Sequence, residues 1–146
     1  MSANVMKQLS KELHAPAPKK FPRRHVFVDG IDDVWAMDLA DMSEWKMVND
    51  GNAWMMNIVD VFSRYAWSVP MANKTAAVVL HAFKSVIEAS GRKPAKTWVD
   101  EGTEFYNKQM TKFIDANSIT RYSTYGEHKS MFVERFNRTL KGRMWR

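Results

Sequence analysis

The chain has 146 residues, no cysteine and a formal charge of +6, with an isoelectric point near 9.6. That length suits one domain with a real core, and the cysteine count excludes disulfides and thiolate zinc sites. No apolar run approaches the roughly 18–20 residues of a membrane span, and the basic balance points to an anionic partner, nucleic acid first.

In chain order, "MSANVMKQLSKEL" has no signal-peptide apolar core. Its Val5, Met6, Leu9 and Leu13 are spaced for one side of a short helix. "HAPAPKKFPRRH" follows, with three prolines and four bases, and reads as an extended basic arm, so residues 1–33 are set apart from a core of 34–146. "VWAMDLADM" is apolar enough for a buried strand despite Asp38 at its centre. After the turn signal "NDGN", "AWMMNIVDVF" and "RYAWSVP" predict two more strands, the third stopped by Pro70; their close spacing predicts an antiparallel meander.

From Lys74 to Ser90 the period changes. Val79, Ala82, Phe83, Val86 and Ile87 form a helical stripe ended by Gly91. "AKTWVD" predicts a fourth strand, Met110, Phe113 and Ile114 mark a helix ending near Asn117, "SITRY" predicts a fifth strand, and the closing segment a third helix. The order βββαβαβα implies an α/β domain with a mixed central sheet flanked by helices.

Three acids stand where structural economy would not put them. Asp38 interrupts an apolar strand, where an unpaired carboxylate is costly. Asp100 ends the fourth strand, a usual place for a functional group in an open α/β sheet, and the glycine of "EGTEF" after it permits a sharp turn. Glu134 is the one acid among the six bases of residues 129–146. Each alone fits a cap, a turn or an ion pair. Together they suggest a hard-metal site, because Mg²⁺ prefers oxygen ligands. The four histidines, His14, His25, His81 and His128, are too scattered to make one of their own. At about 100° per residue, Ser130, Asn137, Arg138 and Lys141 fall within about 60° of Glu134. Phe132 and Phe136 lie opposite, as a buried seam. A solvated face with Glu134–Arg138 pairing accounts equally well for that charge pattern.

"VWAMDLADM", "NIVDVFSRYAWSVPMANKT", "VDEGTEF" and "KSMFVERFNRTLKGRMW", in this order, resemble the catalytic core of a retroviral-type DDE integrase. The chain is most similar to integrases of Maverick/Polinton-type transposons and related viral elements. The resemblance implies an RNase H-like fold with a five-stranded sheet, and it carries the family's acids onto Asp38, Asp100 and Glu134. These would hold two Mg²⁺ or Mn²⁺ ions per active site for 3′-end processing and strand transfer into target DNA. It also puts Lys129, Ser130, Asn137, Arg138 and Lys141 beside DNA, and makes Asp60 a fold-associated acid. Asp41, Glu101 and Glu104 are secondary. Between Asp100 and Glu134 lie 33 residues, slightly fewer than in the retroviral pattern, and the difference falls in the loop around Tyr125 and Gly126. The family further implies a homodimer of cores, a higher oligomer on DNA, no membrane partner, a nuclear or virion-associated location, and flanking domains beyond this core. Two other readings share these residues: a DNA- or chromatin-binding relic that no longer catalyses, and an RNase H-like nuclease.

Overall fold

The computed structural model describes residues 26–123 and 131–144. Five strands, β1 (Val34–Asp41), β2 (Trp54–Asp60), β3 (Ala66–Met71), β4 (Lys96–Val99) and β5 (Thr120–Ser123), form one sheet in the order β3-β2-β1-β4-β5. The first three run antiparallel as a meander, while β4 pairs in parallel with β1 and β5 in parallel with β4. Helices α1 (Ala76–Ser90), α2 (Lys108–Ala116) and α3 (Met131–Met144) flank this sheet. The mixed five-stranded architecture is the one expected. None of these helices is long and apolar enough to cross a membrane.

Strand alternation divides the core in two. Trp35, Met37, Met56, Ile58 and Val99 share a cluster with Val79, Phe83 and Val86 of α1 and Met110 and Ile114 of α2. Their neighbours Val34, Ala36, Val59 and Trp98 pack on the other face with Val133, Phe132 and Phe136 of α3. Val26 and Val28, just before β1, also pack against this second cluster. The α1 stripe is the predicted one, except that Ile87 is only partly buried. Gly91 ends the helix at φ 64, a left-handed value that glycine adopts without a Cβ penalty, and its N–H returns to the Ile87 carbonyl at 3.0 Å.

Three local expectations need correction. A 3₁₀ helix, Ser43–Val48, stands between β1 and the "NDGN" turn, where Asp50 and Gly51 have φ of 50 and 78. It buries no side chain, so no apolar period marked it. Pro70 does not stop β3, which continues to Met71. The Asp60–Tyr65 backbone bond sets the phase in which Trp67, Val69 and Met71 face β2, so Pro70, between them, turns its missing donor outward on an edge strand. Finally, α3 is centred on Val133, its one buried residue, with the two phenylalanines only partly buried. The buried side therefore lies nearer Asn137 than a Phe-centred seam predicts.

Candidate functional site

Two steps along β1 from Ala36 comes Asp38, and two steps from its parallel partner Trp98 comes Asp100. Both follow on the sheet face that α3 covers, Asp38 midway along β1 and Asp100 just past the carboxyl end of β4. Asp38 is half-buried and both its oxygens accept hydrogen bonds: Oδ1 from the Leu39 N–H at 2.9 Å, Oδ2 from the Asn137 Nδ2 at 2.7 Å. Asp100 is exposed just past β4, and its Oδ1 accepts from the Gly102 N–H at 3.2 Å.

Gly102 is not needed there for a left-handed backbone. A Cβ on it would meet only the movable carboxyl end of the Glu104 side chain, at 2.7 Å, so the position does not strictly require glycine. Asn107 stiffens the rest of this loop. Its Oδ1 caps α2 by accepting from the Met110 N–H at 2.9 Å, while its Nδ2 donates to the Glu104 carbonyl at 2.9 Å.

Glu134 is exposed in the first turn of α3, one turn before Asn137. Among the described residues, no group of three or more acids or histidines is gathered closely enough to hold a metal ion. Asp38 and Asp100 thus stand level with each other on one face of the sheet, with the Glu134 turn tied to Asp38 through Asn137. The three carboxylates are not drawn into one cluster. Their chemistry still fits a hard cation, which needs few protein oxygens and keeps several waters. Lys129 and Ser130, expected beside DNA, lie outside the described residues. Arg138 is exposed and Lys141 half-buried on α3. Lys141 and Lys74 both help hold the Asp41 carboxyl below its usual range, behind the larger effect of hydrogen bonds from the Ser43 hydroxyl and N–H.

The sequence reading missed Asn57 and Ser68. Asn57 pairs with Asp38 across β1–β2 and with Ser68 across β2–β3, and it is fully buried. Its Nδ2 donates to the Asn137 Oδ1 at 2.6 Å, and the Ser68 hydroxyl donates to its Oδ1 at 2.6 Å. Asn137, expected to face DNA, therefore has both ends of its amide engaged within the protein. The one available signal was a polar amide inside "MMNIV".

Asp60, by contrast, points to the opposite end of the sheet. It is fully buried, accepts from the Ser63 hydroxyl, and pairs with Arg92 at 2.8 Å. Arg92 also bonds Asp32 at 2.7 Å and lies 4.9 Å from the Trp67 ring centroid. Bonding to Asp32, then to Asp60, raises the guanidinium pKa further above its ordinary value. Asp60 thus belongs to an internal clamp.

Residues 28–125 match the integrase core domain family. A transposon-derived protein of Caenorhabditis elegans is 33% identical over 103 residues, covering 70% of this chain and 36% of that protein. The retrovirus-related Pol polyprotein from transposon 412 of Drosophila melanogaster is 36% identical over 97 residues, 62% of this chain and 8% of the polyprotein. The chain thus spans little more than a third of the first relative and a small part of the second. Among solved structures, the HTLV-2 integrase catalytic core in complex with magnesium superposes with a TM-score of 0.63 at 19% identity, over 80% of this chain and 71% of that one. The simian T-cell lymphotropic virus intasome, in complex with PP2A regulatory subunit B56 gamma, gives a TM-score of 0.73 at 19% identity, over 86% and 45%. These likenesses extend the fold to integrase catalytic cores, and with the match over residues 28–125 they lead to one assignment. The chain belongs to the integrase core domain family.

Proposed function

We propose that this chain is the catalytic core of a DNA integrase from a Maverick/Polinton-type transposon or a related viral element. Its reactions are 3′-end processing of element DNA and strand transfer of those ends into target DNA. The observation that carries this reading is the 2.7 Å bond from Asn137 to Asp38, which ties the helical turn bearing Glu134 to the middle of β1. Asp38, Asp100 and Glu134 are the candidate ligands for two Mg²⁺ or Mn²⁺ ions. When bound, such ions supply Lewis acidity to the attacking and departing oxygens of an in-line phosphoryl transfer.

The protein's own part is orientation and charge. Leu39 and Asn137 direct the Asp38 carboxylate, and Gly102 directs that of Asp100. Arg138, Lys141, Lys129 and Ser130 meet DNA phosphates, helped by the basic arm within residues 1–33, so binding weakens steeply as salt rises. No protein nucleophile is required: water attacks in processing, and the freed 3′-OH attacks in transfer. A homodimer of cores, joined into a higher oligomer on DNA, is the working assembly, acting in a nucleus or carried in a virion. The support for that assembly is that the HTLV-2 core has been solved in dimeric and trimeric forms.

The test is Glu134→Gln, which keeps the shape and removes the charge. Mn²⁺-dependent strand transfer is expected to fall by at least about 100-fold. Activity near that of the wild type rejects the carboxylate assignment. A second reading, a DNA-binding relic without catalysis, draws on the carboxylates' dispersal among the described residues. Crystals soaked in Mn²⁺ separate the two: anomalous density between Asp38 and Asp100 favours the enzyme, and its absence at saturating Mn²⁺ favours the relic.

A further inference from the structure

Asn57 is an expensive choice for its position. It is 0% exposed in the middle of β2, on the face that also carries Val59, Ala36 and Trp98. A valine there would extend the apolar surface already present, without the cost of burying an amide. Instead the amide joins a chain of hydrogen bonds that all run in one direction. The Ser68 hydroxyl donates to Asn57, Asn57 donates to Asn137, and Asn137 donates to Asp38, at 2.6, 2.6 and 2.7 Å. The chain links β3, β2 and α3 to β1.

Its end point sets its direction. An ionised carboxylate only accepts, so Asn137 must offer its NH₂ to Asp38 and its carbonyl to Asn57, which must then offer its own NH₂. The apolar contacts of α3, through Val133, Phe132 and Phe136, are non-directional and tolerate sliding. The Asn57–Asn137 bond does not.

We propose that Asn57 is a positioning residue: it fixes where α3 sits along its axis and how the Asn137 amide is turned. Through Asn137 it holds the Asp38 carboxylate and the Glu134 turn in one arrangement. The apolar contacts make the helix dock, and the amide pair decides where. The catalytic consequence of this role rests on the integrase reading above; the positioning itself does not.

The test uses the full chain with Asn57→Val and Asn137→Ala, singly and combined. Melting temperature, DNA affinity in Ca²⁺ and strand-transfer rate in Mn²⁺ are measured. Asn57→Val is expected to melt near the wild type and bind DNA equally well, but to transfer about 10- to 100-fold more slowly. The double variant is expected to be no slower than Asn137→Ala alone, because Asn57 acts through Asn137. A wild-type rate for Asn57→Val, or multiplicative losses in the double variant, overturns the proposal. If Asn57→Val does not fold, Ser68→Ala is expected to slow transfer several-fold, and Ser68→Thr, which keeps the hydroxyl, to restore it. Equal rates for the two Ser68 variants overturn it. If the wild type transfers no strands, the integrase reading fails while the positioning stays testable. Solvent exchange of the Asn137 carboxamide protons, followed by NMR, is then expected to speed up about tenfold in Asn57→Val or Ser68→Ala, and unchanged protection overturns the proposal.

Discussion

Arg92 shows how much one side chain can hold. Its guanidinium reaches Asp32 before β1 and the buried Asp60 at the end of β2, with the Trp35, Tyr65 and Trp67 rings around it. Removing it leaves the Asp60 carboxylate buried with only neutral donors. Arg92→Met is therefore expected to cost about 3–5 kcal/mol, read as a loss of unfolding free energy in urea. Arg92→Lys is expected to recover little, since a lysine cannot reach two carboxylates with a planar fork. Asp60 was legible only as a fold-associated acid, through the family resemblance and without its partner. Arg92 lies 32 residues away and reaches it only in the folded sheet. Asn57 was harder still. An amide in a strand carries no charge to draw notice, and its partner Asn137 is 80 residues on. Asp38 stood out because a carboxylate in an apolar strand is costly whatever its partners.

At the scale of elements, the start of β4 is tied to the residue before β1 by Lys96 Nζ and Asp33 Oδ1 at 2.9 Å. The lysine's hydrogen bond, and then one from the Asp29 N–H, hold the Asp33 carboxyl below its ordinary pKa, while the same lysine bond to Asp33 raises the Lys96 pKa. A lowered carboxyl contributes stability above its unfolded pKa and loses it as pH falls through the folded value. A raised amine contributes below its unfolded pKa and loses it as pH rises through the folded value. Lys96→Met is thus expected to give a small melting-temperature deficit at neutral pH that closes below about pH 4 and above about pH 10.5. A deficit that persists at pH 2 removes this ion pair as its cause. Strands and helices were the legible part here, because periods of two and 3.6 residues reflect burial directly. The 3₁₀ segment Ser43–Val48 escaped because it buries nothing. The Phe pair misled because large rings reach the core from the edge of a buried stripe, while the smaller Val133 sits at its centre.

For the whole molecule, Pro70 has a consequence beyond strand length. The outer border of β3 exposes the backbone of Ala66, Ser68 and Pro70, and at the last of these there is no N–H to give. A sixth strand arriving from another copy would meet a broken ladder at that point, a natural guard against runaway polymerisation. Pro70→Thr restores the donor while suiting a strand. The variant is expected to keep its fold yet to associate more with rising concentration, measured by light scattering before and after gentle heating. Unchanged scattering would show that the guard lies elsewhere. The opposite border is β5, only four residues long and a poor template by its brevity. Copies of this chain brought to high local concentration are thus steered to meet through helices and loops, so crowding is kept from turning into fibrils.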